Sequence, residues 1–491
     1  MTTFSFTTDP AASVKSGVLI LPVFEGGEAG PGVKDVGLEH AFRDAALTGK
    51  KGDSLLVPKR NGDRFAADAV LLQGVGPKDE FDVVAMRRAL GRAAQAVGRF
   101  RHAATTHAQA AKGDAGESAE AAAEGLGLGA YRFDRYKSAN DDKPFTKVTV
   151  IGGGRGDGKK KTGADGVRRA DILVDAVGWA RDLVNTPAGD LPPAQLAREA
   201  QKMATASGLT CTVWAEAELK KRGFGGLLGV GQGSVNPPRL IQLTYTGAGS
   251  ARPIALTGKG VAFDSGGLSI KDAKGMESMK IDMGGAATML AAMKAIARLK
   301  PKINVIAAIP SAENMPSGAA VKPGDVIRHY GGTTSEVLNT DAEGRLILAD
   351  ALALLAGKKP TCIVDAATLT GACMIALGTD IGGVLGNDDD LVDEIVSAGR
   401  ETGEPIWQLP LHREYRKLID SNVADIKNVG DRWGGAITAA LFLAEFVGDV
   451  PWAHLDIAGP TFSEKAHDLG PKGATGFPVR TLVRFMQGRA G

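Results

Sequence analysis

The eight residues Asn339–Thr340–Asp341–Ala342–Glu343–Gly344–Arg345–Leu346 constrain this chain more than any other stretch. Asp341 and Glu343 stand two apart. On an extended segment such residues point to one side, whereas on a helix they diverge by about 200°. Both carboxylates can therefore face one point only at a strand end or in a loop. Leu346, Leu348, Ala349, Ala351, Leu352 and Leu355 recur at helical spacing, so a helix is expected directly afterwards. Gly344 is expected to allow a sharp turn between the two. Like charges held this close repel unless something positive lies between them. A bound metal is the natural candidate, with Arg345 as a neighbouring anion-binding group. Asp-x-Glu is common by chance, so the remaining ligands must come from elsewhere in the chain.

A second concentration of charge begins at Ile254. The strand expected over Ile254–Thr257 runs into Gly258–Lys259–Gly260 and then Val261–Ala262–Phe263–Asp264–Ser265–Gly266–Gly267. Lys259 and Asp264 have opposite parity, so a straight strand would set them on opposite faces. The glycines flanking Lys259 can supply the irregularity that brings both to one side. A phosphate-binding loop is not supported. The glycine such a loop needs is replaced by Pro253, and its Ser/Thr by Gly260. Lys271 follows, and Asp282 precedes Gly284–Gly285 and another expected helix. Each charge alone reads as surface. Sites in open α/β sheets form beyond the carboxyl ends of strands. Lys259, Asp264, Lys271, Asp282, Asp341, Glu343 and Arg345 stand mostly at such strand ends or turns, and together read more economically as a two-metal hydrolytic site.

The rest of the chain supports an α/β fold. Its 491 residues suffice for two or three domains. Strands are expected at Val18–Phe24, Val70–Val75, Lys147–Ile151, Leu209–Val213, Leu240–Tyr245, Ile303–Ile309 and Cys362–Asp365. Helices are expected at 82–100, 103–125, 170–184, 193–206, 286–299, 389–404 and 436–447. This alternation implies a smaller N-terminal α/β domain over 1–165. A larger C-terminal α/β domain follows over 166–491, with a mostly parallel central sheet flanked by helices. The hydrophilic stretch 152–166, with Lys159–Lys160–Lys161, reads as the boundary or a loop beside it. The lysine run reads as a solvated face.

Charge and cysteine content narrow the function. The net charge of +2 gives no field for nucleic acid or a membrane surface. Three scattered cysteines make neither a disulfide framework nor a cysteine zinc site, and favour a reducing, cytoplasmic setting. Met1–Ser16 has no apolar run of signal-peptide type, and no span of about 20 apolar residues suggests a membrane helix.

Asn339–Leu346, taken with Gly258–Lys271, resembles the cytosolic leucyl aminopeptidase family of dizinc peptidases. Glu313–Val326, Asp365–Ala372 and Trp452–Gly459 agree, so the resemblance covers roughly 170–491. It implies that Asp264 and Glu343 bridge two divalent ions, Zn²⁺ or Mn²⁺. Lys259 and Asp282 would complete the tighter site, and Asp341 would hold the other ion through its side chain and carbonyl. Lys271 and Arg345 would be the catalytic pair, with bicarbonate on Arg345 as the general base. The implied reaction is attack of metal-activated water on the first peptide bond, releasing N-terminal leucine or other apolar residues. Met279, Thr368 and Gly371 would line the side-chain pocket, and Leu369 would offer its backbone to substrate. Met279 and Thr368 also fit a core-packing reading. The resemblance further implies a homo-hexamer acting on peptides. Some bacterial relatives also bind DNA, which would be a secondary role here. Gly332–Thr333–Thr334–Ser335 and Ala262 depart from the family pattern at positions that are not ligands. His329 and His454 read as structural, and Asp456 as a buried, hydrogen-bonded acid.

Overall fold

The computed structural model describes residues 2–41, 45, 47–138, 145–153 and 157–490. The chain divides into two compact units. The first comprises 1–178 with 464–473, and the second 179–463 with 474–491.

The first unit contains β1 (Thr3–Thr7), β2 (Val18–Phe24), β3 (Glu28–Ala29), β4 (Ser54–Pro58), β5 (Ala69–Gly76), β6 (His102–Thr105) and β7 (Lys147–Ile151). Among the described residues these form one sheet, ordered β1-β7-β6-β2-β5-β4 with β3 paired to β2. Only β3 and β4 run antiparallel to their neighbours. Every residue of β2 and β5 is buried, which is why both read as continuous apolar runs rather than alternations.

The expected helix over 103–125 is corrected. His102–Thr105 is a strand paired to both β2 and β7, and the helix spans Ala115–Gly129. Alanine at 103 and 104 is compatible with either state, and the slot between two strands decided it. Asp114 starts the helix by accepting from the amides of Gly116 and Glu117.

The expected loop over 152–166 is also corrected in part. A helix covers Asp157–Asn185, so the exposed Lys160 and Lys161 lie on its first turns. The two compact units part within this helix, at Gly178/Trp179. A hydrophilic composition marks an exposed helix end as readily as a loop.

The second unit carries β8 (Thr210–Trp214), β9 (Arg239–Thr246), β10 (Ile254–Gly258), β11 (Gly260–Asp264) and β12 (Asn304–Asn314). Next come β13 (Val326–Arg328), β14 (Thr334–Glu336), β15 (Cys362–Ala367), β16 (Gly382–Gly386), β17 (Ile406–Gln408), β18 (Ile426–Lys427) and β19 (Trp452–Asp456). The main sheet is ordered β17-β16-β19-β15-β10-β12-β9-β8, with β11 on β12. The central run β19-β15-β10-β12 is parallel, and antiparallel pairs lie toward the edges. Helices Gly284–Leu299 and Gly344–Ala356 are buried along most of their length and pack against these central strands. Both are apolar nearly all round, as helices sealed inside a domain must be. Among the described residues, no helix is long and apolar enough to cross a membrane.

Candidate metal centre

The site forms at the carboxyl ends of β10, β11 and β15. Lys259 sits between β10 and β11, and the two strands keep one register on β12 across it. β10 pairs β12 over 254–256, β11 pairs it from Gly260, and the register slips between Val261 and Phe263. The slip falls at Ala262 and not, as expected, at the glycines flanking Lys259; the extra residue there is what lets Lys259 and Asp264, of opposite parity, face one side. The Lys259 amide donates to the Ala366 carbonyl at 3.0 Å, and its own carbonyl accepts from Ala286 at 2.8 Å. The backbone is thus pinned between β15 and the start of the 284–299 helix.

Five segments deliver the charged side chains to one place. Lys259 Nζ lies 2.7 Å from Asp282 Oδ1 and 2.7 Å from Glu343 Oε1. Lys271 Nζ lies 2.9 Å from Asp264 Oδ2 and 2.5 Å from Asp341 Oδ1. Carboxylate oxygens of Asp264, Asp341 and Glu343 all fall within 4.8 Å of one another. Asp341 sits in the turn before the helix and Glu343 caps that helix, so neither lies within regular helix, as their spacing required. Gly344 serves differently from expectation. It is the first helical residue, and a Cβ there would come 2.5 Å from Lys259 Cε. Left-handed backbone near the site falls in another segment, at Gly266 and Gly267 between Asp264 and Lys271, with φ +84° and +64°, where a side chain would be strained.

Burial and charge oppose each other throughout. Burial, joined by like charges nearby, raises the pKa of Asp282 and of Glu343. Asp341 is raised chiefly by burial as well, with the adjacent Lys271 ammonium working against it. Burial would lower the pKa of Lys259, but Asp282, Glu343 and Asp264 outweigh it and hold the ammonium above the usual lysine range. Lys271 behaves likewise beside Asp264 and Asp341. Arg345 is pulled down to about 10 by burial, against the charges of Glu343 and Asp456. Its Nη1 donates to the Asn428 carbonyl at 2.8 Å, and its buried Nε has no partner among the described residues.

The residues fit a pair of divalent cations. Asp282 Oδ2 and Glu343 Oε2 are buried with no hydrogen-bond donor. Glu343 Oε1 and Asp341 Oδ1 approach lysines closely but outside hydrogen-bond geometry. Leaving buried carboxylate oxygens unsatisfied costs about 1–3 kcal/mol each or more, so such a cluster calls for a cation. Hard oxygen donors with one amine suit Zn²⁺ or Mn²⁺. A ligating Lys259 would have to give up the proton that its neighbours now stabilise.

The other expected residues are placed as follows. The Thr368 carbonyl accepts from Lys259 Nζ at 3.0 Å and its hydroxyl donates to Asp282 Oδ1 at 2.7 Å. Leu369 follows in the same loop, and the exposed Gly371 opens the helix Gly371–Leu377. Met279 starts the short turn that carries Asp282. His329 is held by Asp350 and Ser335, and His454 by Asp365, so both histidines have structural partners. Sequence reasoning missed two asparagines. Asn314 Nδ2 bridges Asp264 Oδ1 and the Thr340 carbonyl, at 2.8 and 2.9 Å. Asn428 ties down Leu338, Asn339 and Arg345. Asn314 lies inside the Glu313–Val326 stretch and was findable there; nothing local marks Asn428.

Comparison with known proteins shows the family. The model of the cytosol aminopeptidase family, catalytic domain, matches residues 178–483, and that of the family's N-terminal domain matches 20–140. A probable cytosol aminopeptidase of Solibacter usitatus is 46% identical, over 97% of each chain. One from Streptomyces coelicolor is 42% identical over 99% of this chain and 98% of its own. Among solved structures, the bottromycin maturation enzyme BotP in complex with Mn is similar with a TM-score of 0.87. It is 37% identical, over 97% of this chain and all (100%) of that one. A mutant tomato leucine aminopeptidase gives a TM-score of 0.87 at 32% identity, over 99% of this chain and 96% of that one.

Proposed function

The chain belongs to the cytosol aminopeptidase family of metal-dependent N-terminal exopeptidases, and from that premise we propose that it removes leucine and other apolar residues from peptides through a two-metal site. The observation that carries this reading is the convergence of Lys259, Asp264, Asp282, Asp341 and Glu343, with buried carboxylate oxygens that no protein donor satisfies. Asp264 and Glu343 would be shared between the ions, Lys259 and Asp282 would hold one, and Asp341 would hold the other. When bound, two such ions supply Lewis acidity and a water acidic enough to deprotonate near neutral pH.

The chain's own residues do the rest. Lys271, 2.9 Å from Asp264 and 2.5 Å from Asp341, would present a positive charge beside the scissile carbonyl. A charge already in place needs no reorganisation as the oxyanion develops. Arg345 is buried and anchored at one end by Asn428, which leaves its remaining donors to hold an anion such as bicarbonate. That anion would take the proton of the attacking water and return it to the leaving amine. Leu369 would align the backbone of the substrate, with Met279, Thr368 and Gly371 beside its first side chain. A cytoplasmic location belongs to the same proposal, in keeping with the name of the relatives.

Hydrolysis of leucine p-nitroanilide or leucine amide tests this reading. Activity should vanish on chelation and return with Mn²⁺ or Zn²⁺. Full activity in protein shown by elemental analysis to be metal-free would end the proposal.

A further inference from the structure

Asp456 terminates β19, is 1% exposed, and its charge reaches Arg345. Among the described residues, the hydrogen bonds to its carboxylate come from one short loop and from its own turn. Oδ1 accepts from the amides of Leu369, Thr370 and Ala458 at 3.3, 3.4 and 3.3 Å. Oδ2 accepts from the Thr370 hydroxyl at 2.6 Å. The Thr370 oxygen in turn accepts from the Cys373 amide at 3.0 Å, capping the Gly371–Leu377 helix. One carboxylate therefore gathers the outgoing end of β15 and the start of the next helix.

Thr368 lies immediately before these tethered amides. It hydrogen-bonds both Lys259 and Asp282, with its carbonyl on the ammonium and its hydroxyl on the carboxylate. Its hydroxyl also lies 3.3 Å from the Asp282 carbonyl. The spacing of Lys259 and Asp282 is thus referred, through Thr368, to a loop whose other end is nailed to the sheet. The register adds stiffness, because Ala367 of β15 pairs with Asp456 of β19 and the Ile457 amide donates to the Ala367 carbonyl at 2.8 Å.

We propose that Asp456 and Thr370 form a clamp that positions Thr368, and through it sets the separation of Lys259 and Asp282 for one of the two metal ions. Neither clamp residue touches metal or substrate; both are positioning residues. This inference rests on the two-metal reading above. It predicts that damage to the clamp falls on one ion and spares the other. Outer-shell partners of this kind are typically worth about 10- to 100-fold in metal affinity.

The test is calorimetric titration of metal-stripped full-length protein with Mn²⁺, for wild type, Thr370→Val, Thr370→Ser and Asp456→Asn. The valine variant keeps the volume and loses only the hydroxyl; serine keeps the hydroxyl. Thr370→Val should weaken one of two binding events about 10- to 100-fold and leave the other unchanged, with Thr370→Ser restoring it. Asp456→Asn should follow valine; if it fails to fold, Thr370→Val alone decides. Two wild-type binding events in a folded Thr370→Val protein would overturn the clamp, as would equal weakening of both. Wild type that binds two ions yet leaves leucine amide intact would instead end the exopeptidase reading and leave the clamp in place.

Discussion

In the N-terminal unit His107 is fully buried and its pKa is pushed down to about 3, by burial. In the C-terminal unit His454 is as deeply buried, and burial alone would lower it, but Asp365 at 2.6 Å raises it instead. The same contrast runs through both units. The first hides Arg87 against Glu124 at 2.5 Å and sets Arg169 on Glu120 at 2.6 Å, so each buried acid has a guanidinium. The second gathers Asp264, Asp282, Asp341 and Glu343 around two ammonium groups and still leaves carboxylate oxygens without donors. Fully matched burial is architecture, because nothing further can be gained there. Burial that stays mismatched costs stability and persists only where something binds.

The contrast can be broken most forcefully at Lys271. Lys271→Ala removes a charge aimed at the developing oxyanion, and kcat for leucine amide should fall on the order of 10²–10³-fold. Unfolding by urea should shift little. A loss under threefold would remove Lys271 from the chemistry. Asp341→Asn should lower Mn²⁺ affinity and activity together, by roughly 100-fold or more, with the far-ultraviolet spectrum intact. Retained activity would show that this carboxylate is not needed.

The pH dependence of metal binding sharpens the comparison further. Lys259 is held protonated by Asp282, Glu343 and Asp264, so binding at its site must expel that proton. Mn²⁺ affinity should therefore climb with pH, by about tenfold per unit for each proton displaced. A flat profile between pH 6 and 9, read by titration in buffers of different ionisation heat, would contradict a lysine ligand.

His107 offers the corresponding test in the other unit. Its folded pKa of about 3 lies below the ordinary value of 6.5. Between those values the unfolded chain takes up a proton that the folded one refuses. Stability is therefore whole above pH 6.5 and declines as pH falls toward 3, by at most about 1.4 kcal/mol per unit. Hydrogen exchange in β2 and β6 should report this decline, and His107→Gln should flatten it. The smallest expected effect is Ile20→Val in the apolar core of the same unit. It should cost about 0.5–1.5 kcal/mol and leave kcat unchanged.

Local pattern was enough wherever one residue type admits one state. β2, β5 and β7 stand in apolar runs, and the helix after Glu343 follows from its spacing. Alanine at 103 and 104 suits helix and strand alike, and only the gap between β2 and β7 settled it. The lysine-rich start of the 157–185 helix likewise carried no signal distinguishing a helix end from a loop.

From sequence alone one could read the ligand types, their places at strand ends and turns, and the family that the Asn339–Leu346 motif resembles. These are properties of short segments, and chemistry restricts them residue by residue. Tertiary structure decided which acids share one cavity and which cation answers each. It also decided why Gly344 must lack a side chain and what Asp456 holds. Those depend on distances between segments up to about a hundred residues apart, as between Lys259 and Thr368, which are 109 positions distant. Such distances are set by how β10, β12, β15 and β19 align, and no single stretch of chain encodes that alignment.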